Sequence, residues 1–316
     1  MIVDTKLNNL IIGESTAIQN VRKLITKVAN SSSNVLITGK SGTGKEIVAR
    51  AIHQNSQRAN LPFIPINCFS IPENLYDSEL FGFKKGSFTG ATNDMEGVFR
   101  AANRGTLFLD EIGFIPIQVQ VKLLRAIETK EVKPIGSSSL YKIDIRVIST
   151  TNKNLKKEIE KGNFYAGLYY KLKTTEIHLP SLIERKEDIP FLVKYFIQKY
   201  SFNSKRKLLG IYNDAMKILI DYKWEGEVRE LESVIEGAVA LCDSDYITRE
   251  YIFLSDQTEE KKTYPDKLKS AVHDFEKQHI LSILKRTAND KIKCAETLGV
   301  GLSSLYRKIE ELGIEV

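Results

Sequence analysis

Residues 34–52 read Asn34-Val35-Leu36-Ile37-Thr38-Gly39-Lys40-Ser41-Gly42-Thr43-Gly44-Lys45-Glu46-Ile47-Val48-Ala49-Arg50-Ala51-Ile52. The apolar run ending at Thr38 predicts a buried strand, Gly39 to Lys45 fits G-x-x-x-x-G-K, and Ile47, Val48, Ala51 and Ile52 recur at helical spacing. Strand, glycine loop and helix is the order in which backbone N–H groups and a helix N-terminus meet phosphate oxygens. Lys45 would then reach the β- and γ-phosphates of a nucleotide. The candidate nucleotide-binding residues are therefore Gly39, Lys40, Ser41, Gly42, Thr43, Gly44, Lys45 and Glu46. Glu46 stands where a Ser or Thr hydroxyl would ordinarily touch Mg2+. The pattern alone would arise by chance in roughly one chain of this length in ten, so its surroundings decide the matter.

Working outward, Thr106-Leu107-Phe108-Leu109-Asp110-Glu111 brings two adjacent acids to a strand end. Asp110 is a candidate Mg2+ ligand, and Glu111 can orient or deprotonate an attacking water. Thr151 and Asn152 follow another strand pattern, Ile145 to Ser149, and offer polar groups to a γ-phosphate. With the run Phe63 to Ile66, these strands are each followed by a charged amphipathic stretch. That alternation predicts an α/β fold, a mainly parallel sheet flanked by helices, over about residues 10 to 180. From about 182 to 253 the strand signals vanish. Ile189 to Tyr200, Asn213 to Tyr222 and Val228 to Leu241 carry apolar residues at three- and four-residue spacing, as in a small helical bundle. Ser255 to Pro265 is polar, charged and Pro-terminated and reads as a linker. Helical segments broken near Asn289-Asp290 and at Gly299 to Gly301 complete the chain. The expected division is 1–181, 182–254, a linker at 255–266, and 267–316.

Across the 316 residues, 46 Lys+Arg against 40 Asp+Glu leave a net charge of +6, which permits nucleic-acid binding without arguing for it. Cys68, Cys242 and Cys294 show no metal-ligand or disulfide spacing and read as buried reduced thiols. The N-terminus carries no signal pattern, and no apolar run approaches the roughly 20 residues of a membrane helix. A cytoplasmic protein without a membrane partner is expected.

Glu79-Leu80-Phe81-Gly82-Phe83-Lys84-Lys85-Gly86-Ser87-Phe88-Thr89-Gly90-Ala91 resembles the ELFG…GAFTGA segment of bacterial enhancer-binding proteins, the AAA+ ATPases that activate sigma-54 RNA polymerase. The similarity runs from Ile12-Gly13-Glu14-Ser15 through Trp224-Glu225-Gly226-Glu227-Val228-Arg229-Glu230-Leu231 and resumes near the C-terminus. The resemblance implies a P-loop NTPase domain with a helical lid and a Fis-type helix-turn-helix, and ATP with Mg2+. It implies a ring, in this family a hexamer, with mixing with a second activator left open. Gly86, Ser87, Phe88, Thr89, Gly90 and Ala91 would contact sigma-54 in the holoenzyme, with Phe88 and Thr89 at the tip and Ser87 in place of the usual alanine. Asn67 would couple nucleotide state to Glu111, and Arg229 would sense nucleotide from the lid. Lys40 stands where most members have Glu, and Glu225 and Glu227 where Pro and Asn are typical.

The family stretch FRxDLxxRL reads Phe164-Tyr165-Ala166-Gly167-Leu168-Tyr169-Tyr170-Lys171-Leu172 here, so Tyr165 and Lys171 replace the two arginines that reach the neighbouring subunit's ATP. Such arginines contribute about 10³–10⁵ in rate in well-studied NTPases. Lysine supplies the charge without the planar fork, which leaves Lys171 as the remaining candidate. Two readings stay open: a working ring that relies on Lys171 or a substitute, and a hydrolysis-poor nucleotide- and DNA-binding partner or antagonist in mixed rings.

Residues 271 to 313 resemble the Fis-type end of these activators: a dimerising helix over Ala271 to Lys285, then Lys291 to Gly299, then a recognition helix over Leu302 to Leu312. Ala295 and Gly299 would be small where helices cross, with Leu298, Val300 and Leu305 as a miniature core. Lys291, Lys293, Arg307 and Lys308 are candidate phosphate contacts on double-stranded DNA at an upstream activator site, joined by Ser303, Ser304 and Tyr306. Gly301-Leu302-Ser303-Ser304 replaces the frequent Ser-Arg-Arg-Thr, which predicts a different or weaker site preference. About ten residues precede the ATPase region, too few for a receiver domain, so control is expected through a partner, expression level or assembly.

Overall fold

The structure, a computed structural model, describes residues 7, 10–204, 208–254, 268–287 and 289–314. It divides into two compact units, Met1–Phe253 and Leu254–Val316. The expected linker at 255–266 lies outside the described residues.

In the first unit the chain runs through α1 (Thr16–Ala29), β1 (Val35–Thr38), α2 (Lys45–Gln54), β2 (Phe63–Asn67), α3 (Tyr76–Phe81), β3 (Gly82–Phe83), β4 (Met95–Glu96), α4 (Val98–Ala101) and β5 (Thr106–Asp110). It continues with α5 (Ile117–Thr129), β6 (Glu131–Val132), β7 (Tyr141–Lys142), β8 (Arg146–Thr151), α6 (Leu155–Glu160), α7 (Ala166–Leu172) and β9 (Thr175–His178). Five strands form one parallel sheet in the order β2-β5-β8-β1-β9. Leu36, Leu107, Leu109 and Val147 pack on one face with Leu80, Phe99, Leu123 and Leu168. Val35, Ile37, Phe108 and Ile148 pack on the other with Ile18, Ile25, Val48 and Ile52. A parallel sheet buried on both faces needs such continuous apolar strands. The register sets Thr38 opposite Thr151 and Asn67 opposite Asp110. The loops after β1, β2, β5 and β8 therefore gather at one edge, the carboxyl end where open α/β sheets take ligands.

Strand β9 was not foreseen. It is an edge strand in which Ile177 alone is buried, too polar to leave a periodic signal. Arg146 enters the core beneath α1 and closes that helix, donating to the carbonyl oxygens of Val28 at 2.6 Å, Ala29 at 3.0 Å and Ser33 at 3.3 Å. Burial, with a further push from Arg58, brings its pKa down to about 10, still charged at neutral pH.

The lid follows as α8 (Ile189–Ser204), β10 (Gly210–Ile211), α9 (Asn213–Asp221), α10 (Glu227–Leu241) and β11 (Tyr246–Ile247). The expectation of a strand-free bundle needs correction, because β10 and β11 pair in parallel. Two residues apiece are too short to be seen in a sequence.

The second unit holds α11 (Leu268–Arg286), α12 (Lys291–Leu298) and α13 (Leu302–Glu311). Its core is Ile280, Ile283, Leu284, Cys294, Ala295, Leu305, Leu312 and Ile314. Val300, expected in that core, is 44% exposed, and Leu298 is only partly buried at its margin. Gly299 is not a crossing point either. It ends α12 with φ +67°, and a β-carbon there would meet nothing within 4 Å, so its role is the left-handed cap. Asp290 caps the start of α12 through the N–H groups of Ile292 and Lys293. All three cysteines are free and buried. Among the described residues no helix is long and apolar enough to cross a membrane.

Candidate functional site

The glycine loop joins β1 to α2 through three positive-φ glycines, Gly39, Gly42 and Gly44. A β-carbon on Gly42 would stand 2.3 Å from the carbonyl oxygen of Gly226, and one on Gly39 would stand 2.9 Å from that of Leu179, so any larger residue is shut out. Buried Thr43 ties the loop to itself, its hydroxyl donating to the carbonyl of Lys40 at 2.8 Å. Gly44 caps α2 without a side-chain bond, leaving the first helical N–H groups open to an anion. The buried Lys45 ammonium donates to the carbonyls of Gly39 at 3.0 Å and Lys40 at 3.1 Å, and lies 3.1 Å from Glu111 Oε1. Ser41 is exposed at the loop tip. Glu46 is turned along the helix surface, where Arg50 binds it at 2.7 Å.

Opposite the loop, Asp110 and Glu111 leave β5. Glu111 adopts φ +56°, an uncommon conformation for a residue with a side chain. Its Oε2 accepts from the Asn152 N–H at 3.0 Å while Oε1 faces Lys45, so β1, β5 and β8 converge on one carboxylate. Thr150, which the sequence reading passed over, joins the two acids: its hydroxyl donates to Asp110 Oδ1 at 2.5 Å and accepts from the Glu111 N–H at 3.0 Å. Thr151, expected at the site, is buried and its hydroxyl accepts from the Lys153 N–H. Asn67 lies beside Asp110 in register, but its side-chain oxygen is taken by the Phe69 N–H at 2.9 Å. Arg229 approaches the loop through its backbone, the N–H donating to Gly42 O at 3.3 Å.

A cavity of about 220 Å3 opens beside Thr43 and Gly44, walled by apolar residues including Ile11, Ile12, Ile47, Leu179 and Phe196. The entry loop at its rim is held by Arg22, which donates to the carbonyls of Ile11 and Gly13, and by Asp188, which accepts from Glu14 N–H, Ser15 N–H and the Ser15 hydroxyl. Arg185, 3% exposed, donates through Nη2 to Thr43 O at 3.2 Å, and its Nε has no partner among the described residues. Apolar walls ending at a glycine loop, with an unsatisfied buried donor, suit a planar base followed by phosphates. Nothing in the charged run Glu184 to Asp188 advertises Arg185 and Asp188 as the buried members of that run.

Tyr165 and Lys171 sit at opposite ends of α7. Gln120, fully buried, donates to the carbonyls of Ile115 and Asn163 and accepts from the Tyr165 N–H at 2.7 Å, so the turn into α7 is fixed from within. A β-carbon on Gly167 would come 2.8 Å from Tyr165 Cε1, so the ring lies over the glycine and the two departures belong together. The carbonyl of Lys171 accepts from Asn34 Nδ2 at 3.1 Å. Asn34 precedes β1 and the glycine loop follows it. Lys171 is thus at the opposite sheet edge from its own chain's loop.

The segment from Lys84 to Asp94 rises from the antiparallel pair β3–β4. Its base is closed by Gly86 N–H to Ala91 O at 2.8 Å and by Lys84 Nζ to Asp94 Oδ2 at 2.5 Å. The Lys84 ammonium, helped by the Lys85 N–H, holds the Asp94 carboxyl below its ordinary range. The Ser87 hydroxyl donates to Lys84 O at 2.6 Å, and Gly136 leaves room for the Ser87 side chain. Phe88 is 46% exposed with its edge against Phe83; Thr89 and Gly90 are exposed, whereas Ala91 is buried at the loop base.

On α13, Ser303, Ser304, Tyr306 and Arg307 are exposed. Lys308 is not open in the same way, because its ammonium is paired to Glu276 of α11 at 2.5 Å. Lys293 lies 3.7 Å from Asp290, and Lys291 sits over the Tyr306 ring.

Residues 11–178 match the model of the Sigma-54 interaction domain, 183–269 that of the AAA+ ATPase lid domain, and 271–312 that of the bacterial regulatory proteins of the Fis family. Fold and site thus define an AAA+ domain with its lid, joined to a Fis-type helix-turn-helix. The chain belongs to the sigma-54-dependent transcriptional regulators. It is 43% identical to UacR of Escherichia coli K12 over 95% of its own length and 53% of that protein. It is equally identical to the transcriptional regulatory protein ZraR of Salmonella typhimurium, over 94% of its length and 68% of ZraR. NtrX from Brucella abortus, solved in complex with ADP, superposes with a TM-score of 0.73 at 32% identity, covering 96% of this chain and 70% of NtrX. The chain therefore spans about half of UacR and about two thirds of ZraR.

Proposed function

We propose that this chain binds ATP at the glycine loop and hydrolyses it within a ring of copies, the hexamer of its family's pattern being the form to test first. The cycle would press Phe88 and Thr89 against sigma-54 in RNA polymerase holoenzyme. The C-terminal helices would hold double-stranded DNA at an upstream activator site, in the cytoplasm and without a membrane. The observation that carries the reading is the convergence of Lys45, Asp110, Glu111 and Asn152 on the mouth of the glycine loop. Asp110, aimed by Thr150, would hold Mg2+, which would neutralise phosphate charge there. Glu111 would take the proton of an attacking water. Lys171, whose carbonyl meets Asn34 ahead of β1, would serve a neighbour's nucleotide, which favours sites shared between copies. On α11 the exposed Leu268, Val272 and Phe275 fall four and three residues apart, a seam suited to pairing two copies on DNA.

A second reading, a hydrolysis-poor partner in mixed rings, is favoured by the Tyr165 ring lying over Gly167 where the family carries charge. ATP turnover across a protein concentration series, beside Lys45→Ala and the double change Tyr165→Arg with Lys171→Arg, separates the two. Turnover that rises with concentration and vanishes in Lys45→Ala supports the working ring. Negligible turnover restored by the two arginines supports the partner-dependent reading.

A further inference from the structure

Where the lid meets the glycine loop, one contact is made by side chains of opposite charge. Glu227 opens α10 with φ +58° and is 1% exposed. A buried carboxylate in a backbone conformation that disfavours side chains is retained only if its surroundings hold it. Its Oε2 accepts from the Leu182 N–H at the start of the lid, and its Oε1 lies 3.5 Å from Lys40 Nζ in the glycine loop. The other contacts in this seam end on loop backbone: Arg229 N–H to Gly42 O at 3.3 Å and Arg185 Nη2 to Thr43 O at 3.2 Å. Gly226 is pressed so close to Gly42 that a single β-carbon would not fit between them.

We infer that buried Glu227 decides which charge the glycine loop can carry at position 40: Lys40 lets the lid turn at 226–229 seat on the loop, whereas an acid there would lift the turn and weaken nucleotide binding. This deepens the nucleotide-binding reading and rests on it. The Lys40 side chain is 67% exposed, so the direct attraction is screened by water and salt. Charge reversal is a different matter. Lys40→Glu would set a second carboxylate against one that is already buried, and the turn would have to leave Gly42 to relieve the repulsion. Glu227→Gln removes the charge, keeps the side-chain length, and keeps an oxygen for the Leu182 N–H.

The test is a double-mutant cycle over Lys40→Glu and Glu227→Gln, with ADP dissociation constants by titration calorimetry. Lys40→Glu alone should weaken ADP binding about tenfold or more and recover with added salt. Glu227→Gln alone, and the two changes together, should stay within about threefold of the parent. A Lys40→Glu defect that is equal in both backgrounds would mean that Lys40 touches the nucleotide itself, and would overturn the inference; so would no defect at all. A nucleotide-free readout separates this failure from failure of the binding reading. Trp224, the single tryptophan, is 3% exposed and its carbonyl accepts from the Glu227 N–H at 3.1 Å. Its emission should move to the red in Lys40→Glu and return in the double variant, with or without ADP binding, and an unmoved emission counts against the inference. Lys40→Gln, which brings no second negative charge, should leave emission near the parent's, and a red shift there equal to that of Lys40→Glu overturns the inference as well.

Discussion

Thr150 joins two acids with one hydroxyl, and its loss can be isolated. Thr150→Val keeps the shape of the strand but leaves Asp110 without its donor and the Glu111 N–H without its acceptor. An unmet buried group costs about 1–3 kcal/mol, which here falls on the geometry of the acids. Turnover should fall about 10- to 100-fold with little change in nucleotide affinity, read as kcat against KM. Arg146 gives the contrasting case of a charge that is wholly structural. Arg146→Met strands the carbonyls of Val28, Ala29 and Ser33. Thermal and urea unfolding should show a loss of about 3 kcal/mol in the first unit.

At the scale of elements, α2 carries a pH dependence. His53 is buried, with Nδ1 3.0 Å from the Thr106 hydroxyl, and burial, then Arg146, lower its pKa. The unfolded chain takes up a proton near the ordinary value of 6.5 that the folded chain resists, so the unfolded state binds more protons in that window. Stability should therefore fall as pH drops below about 6.5, and urea midpoints at pH 7.5 and 5.5 should differ less in His53→Gln. In the loop above β3–β4, Phe88 keeps only an edge contact with Phe83. Phe88→Ala should abolish co-elution with sigma-54 in the presence of a transition-state nucleotide analogue while leaving the unfolding midpoint within about 1 kcal/mol of the parent.

Elements also show what a sequence can carry. The strand before Gly39 and the one before Asp110 were legible because each is a short apolar run tied to its own loop. The part of Thr150, which bonds both Asp110 and the Glu111 N–H, was not. All six residues of β8 are buried, so no alternation tells which side chain faces the site. Strands β10 and β11 hide for want of length, and Val300 misleads because apolar character cannot say that Cys294 and Leu312 fill the space first. Arg185 and Asp188 are concealed by the charged run around them.

At the scale of the whole molecule, the C-terminal unit should bind DNA with a salt dependence set by few phosphate contacts per copy. Among the described residues, three of its candidate contacts, Lys291, Lys293 and Arg307, are not held in a close ion pair of the Lys308–Glu276 kind. Two paired copies would neutralise about six phosphates, so the slope of log K against log salt should lie near −5. Lys308→Ala should hardly change that slope but lower the unit's unfolding midpoint, whereas Arg307→Ala should reduce the slope by about two per pair of copies. On that reading the sparse charge of α13 would also govern how the protein searches. Without much pull from the phosphate backbone, encounters with random sequence would end quickly, and the long dwell would be reserved for a site whose base edges answer Ser303, Ser304 and Tyr306. A faint grip on every wrong address is itself a means of selectivity in a genome made almost wholly of wrong addresses.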